Sequence, residues 1–151
     1  MLGLISDTHG LLRPQAIEAL RGVELIIHAG DVGGPEILAA LGQLAPVAAV
    51  RGNIDTGSWA KTLPFSKTVQ IAGITIFVQH DLKQIDVHPS ARRYDIVVTG
   101  HSHKAHAFEK DGVFYINPGG AGARRFKLPV TLALLNLAEK PWSPRFISLS
   151  A

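Results

Sequence analysis

The sequence predicts an α/β fold, with a parallel βαβαβ first half and a hairpin-rich second half packed most simply as two sheets. Three observations predict it. Over residues 1–51, short apolar runs alternate with segments of helical periodicity. Further on, Ala72-Gly73 and Asp111-Gly112 interrupt alternating strands as hairpin turns do. An apolar fraction of 46% supplies a core, yet no apolar stretch approaches the ~20 residues of a membrane helix.

The elements follow in order. Residues 1–5 lack a preceding basic region and turn polar at Ser6, so they read as a first strand and not a signal peptide. RPQAIEALRG, 13–22, is a helix closed by Gly22, and VELIIH, 23–28, is a second strand. GPEILAALGQL, 34–44, is a second helix with Pro35 in its first turn, followed by the strand PVAAVR, 46–51. This order implies parallel strands with right-handed crossovers. Residues 57–64 form a surface loop carrying Trp59, and KTVQIAGITIFVQ, 67–79, is a hairpin. The polar span 82–93 is helical in part and ends near Pro89, before the strand YDIVVT, 94–99. AHAFEKDGVFYIN, 105–117, is a second hairpin; 117–129 is a glycine-rich loop; and 130–137 and 145–150 are the last strands. No linker or internal repeat divides the chain, and its 151 residues fit one domain, 1–151.

In open α/β sheets, ligands gather beyond the carboxyl ends of the strands. The exits here are SDTHG, HAGDVGG, RGNID, QHD and TGHSH. They offer Asp7 and His9, Asp31, Asn53, His80, and His101 and His103. All are ligand types for first-row metals. In extended chain, alternate residues share a face, which puts Asp7 with His9 and His101 with His103. Glycines precede Asp31, Asn53 and His101, where a missing Cβ permits close approach to an ion. Seven oxygen and nitrogen donors exceed one tetrahedral site and suit two divalent ions sharing a bridge, for which Asp31 is the candidate. The donor mix favours manganese, iron or zinc over calcium. Taken singly, Asp7 or Asp31 also reads as a helix N-cap and Asn53 as a turn residue. His28, His88 and His106 read as structural or exposed.

There is no cysteine, which excludes disulfides and thiolate sites and fits a cytoplasmic setting. Net charge is +3, with the basic residues scattered and aromatics not interleaved, so no nucleic-acid surface is evident. A mild attraction for anionic substrates remains. The sequence admits a homo-oligomer without fixing one.

At these residues the sequence resembles the calcineurin-like metallophosphoesterases, whose ordered pattern is D-x-H, G-D, G-N-x-[DE], H, G-H-x-H. It stands here as Asp7-Thr8-His9, Gly30-Asp31, Gly52-Asn53-Ile54-Asp55, His80, and Gly100-His101-Ser102-His103. Asn117-Pro118-Gly119-Gly120 is similar to the glycine-rich loop that follows the last hairpin in the small bacterial and archaeal phosphodiesterases of that family. The resemblance implies a two-sheet αββα sandwich with the metals at one edge. It also implies one ion on Asp7, His9, Asp31 and His103, and a second on Asp31, Asn53, His80 and His101. The ions expected are Mn2+, with Fe, Zn or Ni as alternatives. The implied activity is hydrolysis of a small phosphoester, most simply a phosphodiester, by in-line attack of a hydroxide bridging two metals. In that scheme Asp31, Asn53 and His101 are catalytic, and Asn53 and Arg51 contact the phosphate.

Two positions depart from the family pattern. Larger relatives carry a histidine, resembling a general acid, where this chain has Ile54, and isoleucine cannot donate a proton. This predicts diesters or acidic leaving groups as substrates in preference to alkyl monoesters. Asp81 stands where relatives carry glycine, as support for a ligand or as a charge repelling substrate. The competing expectation is a protein-binding scaffold like the retromer subunit of the same fold. A nuclease is disfavoured because the chain has no room for a capping domain.

Overall fold

The computed structural model describes residues 1–86, 88–90, 92–125 and 127–150. β1 (Leu2–Ile5), β2 (Leu25–His28) and β3 (Val47–Ala49) lie side by side and parallel, joined through α1 (Pro14–Ala19) and α2 (Pro35–Gly42). Both helices start on a proline, whose fixed φ and absent N–H suit a first turn. Their N-cap residues are Arg13 and Gly34, so neither Asp7 nor Asp31 serves as a cap. Gly22, at φ 84°, turns the chain after α1 into β2. The remaining strands are β4 (Ser66–Ile71), β5 (Ile74–Gln79), β6 (Ile96–Val98), β7 (His106–Lys110), β8 (Val113–Asn117), β9 (Thr131–Leu135) and β10 (Arg145–Ser148). β9 pairs antiparallel with β1 and β10 with β9, completing a sheet of order β10-β9-β1-β2-β3.

The second sheet has the order β4-β5-β6-β8-β7. Its hairpins turn at Ala72-Gly73 and Asp111-Gly112, all four residues having positive φ, as the two-residue turns that match strand twist require. Between them β5, β6 and β8 run parallel. The molecule is therefore a two-sheet sandwich with a βαβαβ first half and a hairpin-rich second half.

Apolar side chains occupy three layers. Leu4, Ile27, Val50, Ile76, Val98, Ile116 and Leu135 meet between the sheets. Ala16, Leu20, Ile37 and Leu41 of the helices cover Ile5, Ile26 and Leu132 on the outer face of the first sheet. The outer face of the second sheet, Phe77, Val97 and Val113, lies under Ile85, Tyr94 and Tyr115. There the helical layer is reduced to a 3-10 turn, Leu82–Gln84, and the stacking of Tyr94 on Phe77 at 4.9 Å supplies part of the cover. Val87 and Ala91 of the expected 82–93 segment, Phe126 of the glycine-rich loop and Ala151 lie outside the described residues.

The expected surface loop 57–64 differs in one respect. It contains a 3-10 turn, Ser58–Thr62, and Trp59 packs half-buried against the helix layer, so its aromatic ring serves the core. Because β1, β2, β3, β5, β6 and β8 deliver their carboxyl ends to one edge of the sandwich, the loops that follow them are brought together. That edge is where the polar residues accumulate.

Candidate metal centre

Asp7 follows β1 and is fully buried. Its Oδ2 accepts the Ser6 hydroxyl at 2.6 Å and the His101 backbone N–H at 3.0 Å. Its Oδ1 has no hydrogen-bond partner. Around that oxygen stand three imidazole Nε2 atoms, of His103 at 3.4 Å, His9 at 3.7 Å and His80 at 3.8 Å. All three of those nitrogens are likewise buried and unpaired. Asp31, after β2, repeats the arrangement. Its Oδ1 accepts the Ile54 N–H at 3.0 Å, while Oδ2 faces His80 Nε2 at 3.2 Å and His9 Nε2 at 3.5 Å. Each carboxylate thus has one oxygen held by donors and the other aimed at a shared point.

The imidazoles are oriented too. His80 Nδ1 donates to the Ala29 carbonyl at 2.8 Å, which leaves Nε2 as a bare lone pair. Donor atoms of Asp7, His9 and His103 lie within 4.8 Å of one another, and so do those of Asp31, His80 and His101. Asn53 sits on the exposed turn after Gly52 and lines, with Arg51, Phe65, His80, Asp81 and Gln84, a cavity of about 430 Å³. All seven sequence-predicted donors therefore meet at one edge. Orphaned, converging carboxylate and imidazole atoms are the donor set that divalent first-row cations take, and the residues fit such ions.

The backbone departs from the expected same-face geometry. Asp7, His9, Asp31, His101 and His103 all have positive φ, between 48° and 71°. That left-handed region is uncommon for side-chain-bearing residues, and its strain gathers at functional sites. The alternating-strand rationale for Asp7 with His9 and His101 with His103 is thereby corrected. His101 and His103 in fact turn toward different donor groups. Three glycines make the crowding possible: a Cβ at Gly30 would strike His80, at Gly52 Asp31, and at Gly100 the Ser6 and Asp7 side chains.

Burial resists ionisation of Asp7, but His9, the Ser6 hydroxyl and the rings of His80 and His103 outweigh it and hold the carboxyl below its ordinary range. Burial opposes Asp31 too, yet His80 and the Ile54 N–H bring it down to about 2. The contact with Asp7 raises His9. His80 is raised by Asp31 and Asp7 against its own burial. His103 is lowered, chiefly by burial. The two carboxylates are anionic at neutral pH and draw positive charge toward themselves.

Two supporting residues went unassigned in the sequence. Asp55, 2% exposed, accepts the N–H groups of Gly52 at 2.9 Å, Gly33 at 3.0 Å and Val32 at 3.1 Å. It ties the Asp31 loop to the Asn53 turn, and the GNxD spacing was the available signal. Asn117 ends β8; its amide donates to the Gly100 carbonyl at 2.9 Å and to Ser102 Oγ at 3.1 Å, fixing the His101–His103 loop. Asp81 caps the 3-10 turn through the Lys83 N–H and stands 3.8 Å from His101 Nε2. Arg51 pairs with no carboxylate among the described residues; its guanidinium lies 4.6 Å over the Phe65 ring, with Nε buried and unpaired. His88 and His106 are exposed, away from both donor groups. His28 is fully buried in the inner network.

Buried donor atoms at one edge of a two-sheet sandwich define a metal-dependent hydrolase class. The chain belongs to the calcineurin-like phosphoesterase superfamily, whose domain model matches residues 1–140. It is 34% identical over 152 residues to a probable metallophosphoesterase of Methanothermobacter thermautotrophicus, covering 93% of this chain and 88% of that one. An archaeal phosphodiesterase of known structure superposes with a TM-score of 0.75 at 27% identity, covering 97% of this chain and 99% of that one. Vps29 of Entamoeba histolytica, solved with Zn2+, shares the fold with a TM-score of 0.75 at 21% identity, over 99% of both chains. Family and relatives support phosphoesterase activity and a metal requirement.

Two outcomes follow from the network. Asp55→Ala removes three bonds to a charged acceptor, each worth about 1.5–3 kcal/mol before relaxation. A net loss of about 3 kcal/mol or more is expected in denaturant unfolding, and a loss under about 1 kcal/mol would contradict the assigned role. His28 accepts the Gly30 N–H at Nδ1 and meets Thr8 Oγ1 at Nε2, 3.0 Å away, while Thr8 donates to the Val32 carbonyl. Only the neutral ring satisfies that chain, and burial lowers its pKa from 6.5 to about 4. Between those values the unfolded chain binds a proton that the folded chain refuses. The stability is therefore complete above about 6.5 and declines by about 3 kcal/mol as pH falls toward 4. Nitrogen-15 NMR should show His28 as the Nε2–H tautomer down to pH 5; a midpoint near 6.5 in folded protein contradicts this.

Proposed function

We propose that this chain is a binuclear metal-dependent phosphodiesterase acting on a small organic phosphoester in the cytoplasm. The observation that carries the proposal is the set of unpaired buried atoms, Asp7 Oδ1 and the Nε2 atoms of His9, His80 and His103, aimed at one point beside Asp31 Oδ2. Asp7, His9 and His103 with Asp31 would hold one divalent ion, and His80, His101 and Asn53 with Asp31 the other. Manganese is the proposed metal, with iron, zinc or nickel as alternatives. Such a pair supplies charge to a phosphate and acidity to water.

The chain's own residues set what that chemistry is applied to. Asn53, on the exposed turn, has an amide free to donate to a phosphate oxygen. Arg51, unpaired beside it, adds a fixed positive charge, and its stacking on Phe65 holds the guanidinium at the cavity wall. Ile54 is 44% exposed on the same turn and can donate no proton to a departing alkoxide. The leaving group must therefore be stable as an anion, which favours diesters and activated esters.

A binding scaffold would leave the donor atoms without a role. Their retention in strained, buried geometry supports catalysis. With manganese, bis(p-nitrophenyl) phosphate should turn over at least ~10²-fold faster than an alkyl monoester, the gap a missing general acid leaves. Ile54→His should narrow that gap by raising monoester turnover ~10-fold or more. Equal wild-type rates on the two substrates would contradict the role of Ile54. No diester turnover with metal bound would favour the scaffold.

A further inference from the structure

On the side of the metal centre away from Arg51 lies an open groove of about 940 Å³, lined by His101, Ser102, Lys104, Arg125, Lys127 and Leu128. His101 belongs to the metal-donor group, so the groove begins at the site. Three of its six lining residues are cations and none is a carboxylate. Lys104, Arg125 and Lys127 are exposed and make no ion pair among the described residues. Leu128 and the alkyl stems of the lysines give the groove an apolar floor, with the charged heads able to reach the rim. A net charge of only +3 makes such a local concentration a feature of this face and not of the whole surface.

Two sequence features place these cations. Lys104 follows directly on the His101–His103 loop, which Asn117 and Asp7 hold in place. Arg125 and Lys127 come from the glycine-rich loop between β8 and β9, whose base is fixed by Gly122 N–H to the Asp7 carbonyl at 3.2 Å and by the Thr131 hydroxyl to the Pro118 carbonyl at 2.7 Å. The same backbone ties that build the donor groups therefore anchor the roots of the basic groove. An apolar floor with cations above it suits an organic arm that ends in an anion.

Building on the phosphodiesterase reading, we propose that the groove is a second anion subsite, formed by Lys104, Arg125 and Lys127, for a phosphate carried on the arm of the substrate that is not cleaved. The preferred substrate is then an organic phosphodiester bearing a further phosphate, the scissile group at the metal donors and the second one at the groove. Arg125 offers a planar fork to that phosphate and the lysines offer point charges.

The test compares the p-nitrophenyl ester of thymidine 5′-phosphate with the same ester carrying a 3′-phosphate, reading kcat/KM from released nitrophenol on the manganese-loaded protein. The 3′-phosphate should raise kcat/KM about tenfold at low salt, and that ratio should shrink as ionic strength rises. In the combined variant Lys104→Ala, Arg125→Ala, Lys127→Ala the ratio should fall to about one. An ester of dithymidylate separates the sources: a larger ratio than the 3′-phosphate assigns the second phosphate to a nucleic-acid chain, a smaller one to a small organic phosphate. A wild-type ratio of one, or a ratio unchanged in the variant, overturns the subsite while leaving the phosphodiesterase standing. No turnover of either ester overturns both.

Discussion

Two buried carboxylates pointed at the same spot are the constraint on which the rest of this structure depends. Asp7 and Asp31 are held anionic in a largely water-excluded edge, and His80 Nε2 lies within 3.8 Å of both. Burying like charges so close costs several kcal/mol per ion unless positive charge compensates. Without a cation, the protons drawn onto His9 and His80 can meet only part of that demand. With one, the imidazoles must surrender those protons and become donors, so metal affinity is tied to pH.

The fold meets the constraint by topology. Parallel strands from both sheets end at one edge, and the loops leaving them carry the charged groups. Hydrogen bonds then stitch the sheets together through the site itself: Asp7 Oδ2 to the His101 N–H, and His80 Nδ1 to the Ala29 carbonyl. The positive φ values of five donor residues show where strain is kept. It is opposed by Asp55 and Asn117, which pair with backbone groups that a relaxed loop would turn to solvent. Rigidity is useful here, since donors must keep their spacing when substrate arrives.

Much of the site was legible in the sequence because strand exits are legible. Apolar runs that stop at glycine and release Asp, Asn or His identified all seven donors without any geometry. The same reasoning gave the wrong local picture of Asp7 with His9 and of His101 with His103, since strand alternation does not survive into left-handed loops. Asp55 stayed unassigned because a carboxylate accepting three amides from two loops has no one-dimensional signature. Trp59 was placed outside because its neighbours are polar, whereas the cover it provides comes from residues distant in sequence. His28 was read as structural, and its hydrogen-bond chain through Thr8 explains why.

Belonging to the calcineurin-like phosphoesterases gives the chain a phosphoesterase chemistry, while Ile54 and the walls of the site tune it. The exposed, proton-poor turn at Ile54 and the unpaired cations on either flank point to substrates already easy to cleave and held by charge. Calorimetric titration of the chelator-treated protein with Mn2+ tests the central claim most directly. Two ions bound per chain, with proton release, is the result predicted, and Asp31→Ala should weaken both. A stoichiometry of none or one, or two undiminished in Asp31→Ala, would contradict it.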